Sequence, residues 1–141
     1  MRRTAILPGA LLACWFATSL ACGADRAKVI LDATNVQGGL VVHLGSGDGT
    51  LTIALRISDR YVVHGLDTEQ ENVRRARQYI QSRGLYGPVT AERFDGVHLP
   101  YTDGLVNLLV VEQAGRVSRE EMLRVLVPGG MIYMKEGDDW R

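Results

Sequence analysis

Leu40-Val41-Val42-His43-Leu44-Gly45-Ser46-Gly47-Asp48-Gly49-Thr50 constrains this chain more than any other stretch. An apolar run of strand character ends in three alternate glycines, and a helical pattern from Leu51 to Ile57 follows at once. Glycine adopts positive φ without a Cβ clash. It therefore suits a tight strand-to-helix turn and lets a ligand approach the backbone. The first N–H groups of the following helix have no intrahelical partner and point over the turn. In an open α/β sheet that place is the ligand crevice, outside the carboxyl end of the strand. A dinucleotide loop would read G-x-G-x-x-G, but Thr50 stands where its last glycine would be. The bland alternative is a tight turn with no ligand.

Strand-like runs are predicted over residues 40–44, 61–66, 89–94, 105–111 and 131–134. Helical patterns are predicted over residues 25–34, 50–58, 68–82 and 118–126. Thr68 with Glu71, and Ser118 with Glu121, have the form of capping boxes, and Gly84 suits the position just past a helix end. The strands are almost continuously apolar, as in strands buried on both faces of a parallel sheet. The alternation predicts an α/β fold: a Rossmann-like open parallel sheet with helices on both faces, truncated after strand five. Strand five would then present an open edge, a place for a partner to dock. Residues 136–141 read as a polar tail.

The N-terminus differs in kind. Arg2 and Arg3 are followed by no charged residue until Asp25, and small residues close the run at Ala21-Cys22-Gly23-Ala24. This pattern reads as a signal peptide over residues 1–24, cleaved after Ala24, and predicts an exported protein of the periplasm or cell envelope. An uncleaved or lipid anchor is the alternative, and a cytoplasmic chain follows if the segment is no working signal. Both cysteines, Cys14 and Cys22, lie in it, so residues 25–141 offer no thiolate metal ligand and no cysteine nucleophile. Sixteen basic residues balance sixteen acidic ones. No broad basic field points to nucleic acid, and no such partner is expected.

Asp67 follows the second strand, about twenty residues beyond the glycine loop. A carboxylate there can accept hydrogen bonds from both ribose hydroxyls of an adenosine ligand. The competing role is a helix N-terminal acid favoured by the macrodipole.

These features together, from Leu40 to Met134, resemble the class I S-adenosylmethionine-dependent methyltransferases. Leu99-Pro100-Tyr101-Thr102-Asp103 resembles the family's approach to its fourth strand, and Glu121 to Gly130 resembles the segment leading into its fifth. The resemblance implies a methyltransferase-like domain over residues 25–135 that binds S-adenosylmethionine, a small-molecule cofactor, through Gly45, Ser46, Gly47, Asp67, Thr68 and Asp95. In it Asp95 meets the adenine amino group; an ordinary Asp-Gly turn is the alternative. Gly49 would pack helix against strand. No metal is implied, and the acceptor is unknown. Glu112, closing the fourth strand, is a candidate general base. His43 and Asn107 stand where the family usually carries acids. A satisfied core histidine is the expected reading of His43. The resemblance also extends to methyltransferase-like segments of large exported bacterial proteins, which offers a second function: a non-catalytic nucleotide-binding or structural module.

Overall fold

A computed structural model describes residues 18–141. The elements, in order, are α1 (Thr18–Thr34), β1 (Gly39–Leu44), α2 (Thr50–Ala54), β2 (Tyr61–Asp67), α3 (Gln70–Ser82), β3 (Val89–Arg93), β4 (Val106–Val111), α4 (Arg119–Val125), β5 (Leu126–Glu136) and β6 (Asp139–Trp140). The strands form one sheet in the order β3-β2-β1-β4-β5-β6. All neighbours are parallel except β5 and β6. The chain builds outward from β1 to β3, then returns past β1 to begin β4. The strand order therefore reverses between β1 and β4, and a ligand crevice is expected at that switch point.

One face of the sheet is covered by α1, α2 and α3, whose Ala27, Ile30, Leu31, Leu51, Leu55, Ala76 and Ile80 pack on Val41, Val63, Ala91 and Leu108. The opposite face is covered by α4, the turn before it and the β3–β4 connection, through Leu99, Val117, Met122 and Val125 against Val42, Leu44, Leu66 and Leu109. Helices thus lie on both faces, as the alternating pattern implied.

Several local expectations need correction. The first helix does not begin at Asp25 but runs unbroken from Thr18, straight through Ala24; residues 1–17 of the leader reading lie outside the described residues. It ends where Asn35 takes a left-handed φ of 52°. The second helix stops at Ala54, short of residue 58, because Arg56 N–H tightens onto Ile53 O, and Ile57 is exposed to solvent. Thr68 does not cap α3. The N-cap is Glu69, its N–H is taken by Asp67 Oδ1 at 2.9 Å, and Glu71 pairs with Arg74 instead. Ser118 does cap α4, accepting from Glu121 N–H at 3.1 Å. At Gly84, Leu85 N–H reaches Ile80 O and Gly84 N–H reaches Gln81 O, the paired closure that Gly84 at φ 67° permits.

The sheet does not end bare at β5, and residues 136–141 are no loose tail. Gly137, at φ 64°, turns the chain back, and Asp139–Trp140 pairs antiparallel with Lys135 and Glu136. Trp140 stacks on Tyr133, with ring centroids 5.9 Å apart. The hairpin covers the distal part of the β5 edge, which removes some of the open ladder that an edge strand would present.

No helix connects β3 to β4. That connection is held by Arg124 of α4, which donates to Leu99 O, Tyr101 O, Asp103 Oδ1 and both oxygens of Glu121. Glu121 Oε1 in turn accepts Leu99 N–H at 2.8 Å. These bonds hold the Glu121 carboxyl down at about 2. Lysine cannot serve so many acceptors in one plane. In Arg124→Lys we expect faster amide hydrogen exchange at Leu99 and a melting temperature lowered by a few degrees. Unchanged protection at Leu99 would show that the connection holds itself.

Candidate functional site

The glycine bend lies at the switch point. Gly45, Gly47 and Gly49 all have positive φ, at 80°, 53° and 85°. Gly45 sits against the end of β4: a Cβ there would come within 2.9 Å of Gln113 N. Gly49 does pack closely, but against α3 rather than a strand: a Cβ there would lie 3.1 Å from Ala76. Gly47 is the open one, with nothing within 4 Å of a Cβ placed on it. Across from the bend, Glu112 and Gln113 N–H groups both reach Leu44 O, which ties the carboxyl ends of β1 and β4 together.

Above the bend is a cleft of about 660 Å³. Its floor is Gly45 to Asp48 with Thr50 and Leu51; one wall is Glu112 and Gln113, with Lys135 from β5. The other wall is Cys22, Gly23 and Arg26 of α1.

Asp67 meets the bend from behind. Its Oδ2 accepts Gly47 N–H at 3.0 Å, its Oδ1 accepts Glu69 N–H at 2.9 Å, and the Asn72 side-chain amide reaches both oxygens at 3.2–3.3 Å. The residue is buried at 5% exposure. One carboxylate therefore joins the bend, the end of β2 and the start of α3. Ser46 lines the cleft, and its hydroxyl is buried without a hydrogen-bond partner. Its side chain crowds Gly65 of β2, where a Cβ would approach within 2.8 Å of Ser46 Cβ. Gly45, Ser46, Gly47 and Asp67 thus come together.

Thr68 and Asp95 stand beside this cluster and outside the cleft. The loop of Asp95 packs on Thr68, since a Cβ on Gly96 would lie 2.9 Å from Thr68 Cγ2. The Asp95 carboxylate is turned onto its own loop. It accepts Val97 N–H at 2.8 Å and His98 N–H at 2.7 Å, and pairs with His98 Nδ1 at 2.9 Å. The His98 backbone and side-chain bonds, with the Val97 N–H, hold it at about 2. In this structure it closes an Asp-Gly turn.

His43 is buried, as a satisfied core histidine should be. Its Nδ1 lies 2.8 Å from Thr52 Oγ1 and its Nε2 3.3 Å from Glu112 Oε2. With the carboxylate facing Nε2, that nitrogen donates to Glu112, while Nδ1 stands against the Thr52 hydroxyl. The other oxygen of Glu112 lies 3.9 Å from Arg26 Nη1. The hydrogen bond from His43 is the largest influence on Glu112 and holds its carboxyl below the usual value; partial burial opposes this, and the charges of His43, Lys135 and Arg26 add to it. A lowered carboxyl is a weaker base. The geometry makes Glu112 a fixed negative charge in the cleft.

A group whose folded pKa is lowered contributes stability above its unfolded value and loses it as pH falls through the folded one. Denaturant titration of the wild type and Glu112→Gln should therefore differ most near neutrality and converge as pH drops below 4.5, the ordinary value for glutamate. A gap that stays constant through acid would mean that the His43 contact contributes nothing.

Asn107 does not belong to the site. Its Oδ1 accepts Leu40 N–H at 2.9 Å, at the opposite end of β1. Sequence reasoning missed Cys22, Gly23 and Arg26, which it assigned to the leader or left unremarked, and Lys135; Gln113 was expected beside Glu112 at the end of the fourth strand, and it lines the cleft. Among the described residues no group of histidine, cysteine, aspartate and glutamate side chains could hold a metal ion, and no helix is long and apolar enough to cross a membrane.

The methyltransferase domain family model matches residues 41–130, from within β1 through the turn in β5. A demethylmenaquinone methyltransferase of Lactobacillus johnsonii is 30% identical over 99 residues, 65% of this chain and 40% of the relative. The methyltransferase GfsG of Streptomyces halstedii is 28% identical over 106 residues, 70% of this chain and 38% of the relative. The chain therefore spans about two-fifths of the length of these curated relatives. Among solved structures, a putative S-adenosyl-L-methionine-dependent methyltransferase of Methanococcus maripaludis superposes with a TM-score of 0.74 at 23% identity, over 83% of this chain and 57% of that one.

Proposed function

This chain belongs to the methyltransferase domain family, and on that premise we propose that it binds S-adenosylmethionine over the glycine bend and transfers the methyl group to an acceptor. The observation that carries the reading is the Asp67–Gly47 contact at 3.0 Å beneath a cleft at the β1–β4 switch point. The cofactor fits what is present. Gly47 leaves its backbone open to the cleft, and Glu112, Arg26 and Lys135 set one negative and two positive charges around it. Such a set suits a ligand end carrying both an ammonium and a carboxylate.

Asp67 fixes the bend through two backbone N–H groups. Its third partner, the Asn72 amide, belongs to a side chain that can swing away, and a ribose hydroxyl can take its place. Gly45, Ser46 and Gly47 offer backbone to the ligand. Thr68 and Asp95 stand at the adenine side in this reading. When bound over Gly45, Ser46 and Gly47, the cofactor would supply an activated methyl group on a positively charged sulfur. The protein's contribution is to hold the acceptor in line and keep water out. An acceptor that must lose a proton needs a base, and Glu112, with its lowered carboxyl, is a poor one. That observation favours, as a second reading, a module that binds the ligand without transfer.

Calorimetry with S-adenosylhomocysteine, S-adenosylmethionine and NAD tests the binding. We expect the first two to bind and NAD not to. Tight NAD binding in the absence of S-adenosylhomocysteine binding would overturn the proposal. Labelled methyl transfer then distinguishes enzyme from binding module.

Export belongs to the same set of proposals: the basic start and the uncharged run up to Ala24 support it. N-terminal sequencing of the mature chain tests this: Asp25 as the first residue means a cleaved leader, and a start before Cys22 means that the segment is kept. Docking of a further strand along the part of β5 left open by the hairpin is also proposed, supported by the exposed Met131. Lysine at position 131 should abolish any self-association seen in light scattering.

A further inference from the structure

The helix that walls the cleft is built in part from the segment whose composition reads as a leader. It runs without a break across Ala24–Asp25. Its hold on the body lies beyond that point, at Ala27, Ile30 and Leu31, all at 5% exposure or less. Before it, Cys22 and Gly23 line the ligand cleft. Gly23 is buried against the entrance of α2, so closely that a Cβ would sit 3.0 Å from Thr50 Cγ2. Cys22 is exposed on the cleft wall. Arg26 lies one turn on, with Nη2 3.9 Å from Cys22 Sγ and Nη1 3.9 Å from Glu112 Oε1.

We propose that residues 22–26 form a wall of the ligand site, so that the chain competent to bind the adenosine ligand is the one that keeps its leader-like segment. This inference rests on the reading of the cleft as a cofactor site and adds residues that the glycine-loop motif does not contain. Cleavage after Ala24 would remove Cys22 and Gly23 outright and open the cleft on that side. It would also leave Arg26 as the second residue of a frayed helix start. There the macrodipole and the new α-amino group both disfavour a cation. The negative charge of Glu112 would lose its partner across the cleft. The same stretch therefore cannot serve both as a discarded leader and as a wall of a working site.

Cys22 is the reporter. In the full-length chain carrying Cys14→Ser, it is the single thiol. Its alkylation by N-ethylmaleimide is followed with and without S-adenosylhomocysteine, with calorimetry on the same sample. At a ligand concentration roughly a hundredfold over Kd, nearly every site is filled, and we expect alkylation to slow by about tenfold or more. The alkylated protein should in turn bind S-adenosylhomocysteine at least about tenfold more weakly, because the adduct stands on the wall. Ligand binding with no protection of Cys22 overturns the inference and leaves the cofactor reading intact. No binding of S-adenosylhomocysteine overturns both.

Discussion

Asp67→Ala is expected to lower the stability of the protein by about 3 kcal/mol and to abolish binding of S-adenosylhomocysteine. The first figure follows from the partners the carboxylate leaves behind. Gly47 N–H and Glu69 N–H each lose a charged acceptor, and such bonds are worth about 1.5–3 kcal/mol apiece, less where water can replace them. Gly47 is half-exposed and Glu69 exposed, so the lower end applies to each. Against a total of about 5–15 kcal/mol the loss is large but survivable, and the variant should fold. The second effect has a separate cause. Without Asp67 the bend is no longer pinned to β2 and α3, and the position offered to a ribose is gone. Asp67→Asn divides the two. An amide oxygen can still accept from Gly47 or from Glu69, so stability should return in part. Its NH2 group faces whichever donor remains, and binding should stay weak. Asn72→Ala should leave binding unchanged or tighten it, since it frees the carboxylate. Denaturant titration and calorimetry measure these effects. An Asp67→Ala protein that binds normally would mean that the carboxylate is a structural tie and nothing more.

The sequence made some of this legible and hid the rest for physical reasons. The glycine bend could be read because positive φ restricts residue choice at single positions, and Gly84 could be read for the same reason. Asp67 could be read because it follows a strand that ends beside the bend. Its seizure of Glu69 N–H, which displaced Thr68 from the cap, could not, since both residues have the chemistry for that bond and only the exit angle of β2 decides. The His43–Glu112 contact joins residues 69 apart, and nothing local to either announces the other. Arg26 and Gly23 were hidden more deeply. A buried helix and an export leader draw on the same small and apolar residues, and composition does not tell them apart. The strand β6 is two residues long, too short for any period to register. Asp95 shows the opposite difficulty. Asp-Gly fits a turn and a ligand contact equally well, and here the turn takes both oxygens.

Gly45→Val is expected to cost about 4 kcal/mol, enough to bring the protein to the margin of folding. Two independent terms add. At a φ of 80° a β-branched side chain meets its own backbone, and a forced left-handed residue costs about 1–3 kcal/mol. The Cβ would also lie 2.9 Å from Gln113 N and 3.3 Å from Gln113 Cα. That neighbour is backbone tied to Leu44 O, and it cannot rotate aside as a side chain would. Overpacking of this kind adds about 1–3 kcal/mol. The only relief is to part β1 from β4 at the switch point, which widens the cleft floor as well. Gly47→Asn is the contrast. Its φ of 53° is one that asparagine tolerates, and nothing lies within 4 Å of the new Cβ. Stability should change by less than about 1 kcal/mol, while the side chain fills the space into which the ligand must settle, so binding falls instead. Denaturant midpoints and calorimetry on both variants separate the two roles of neighbouring glycines. If Gly45→Val proves as stable as Gly47→Asn, the close seat of the bend on β4 is wrong, and with it the shape of the cleft.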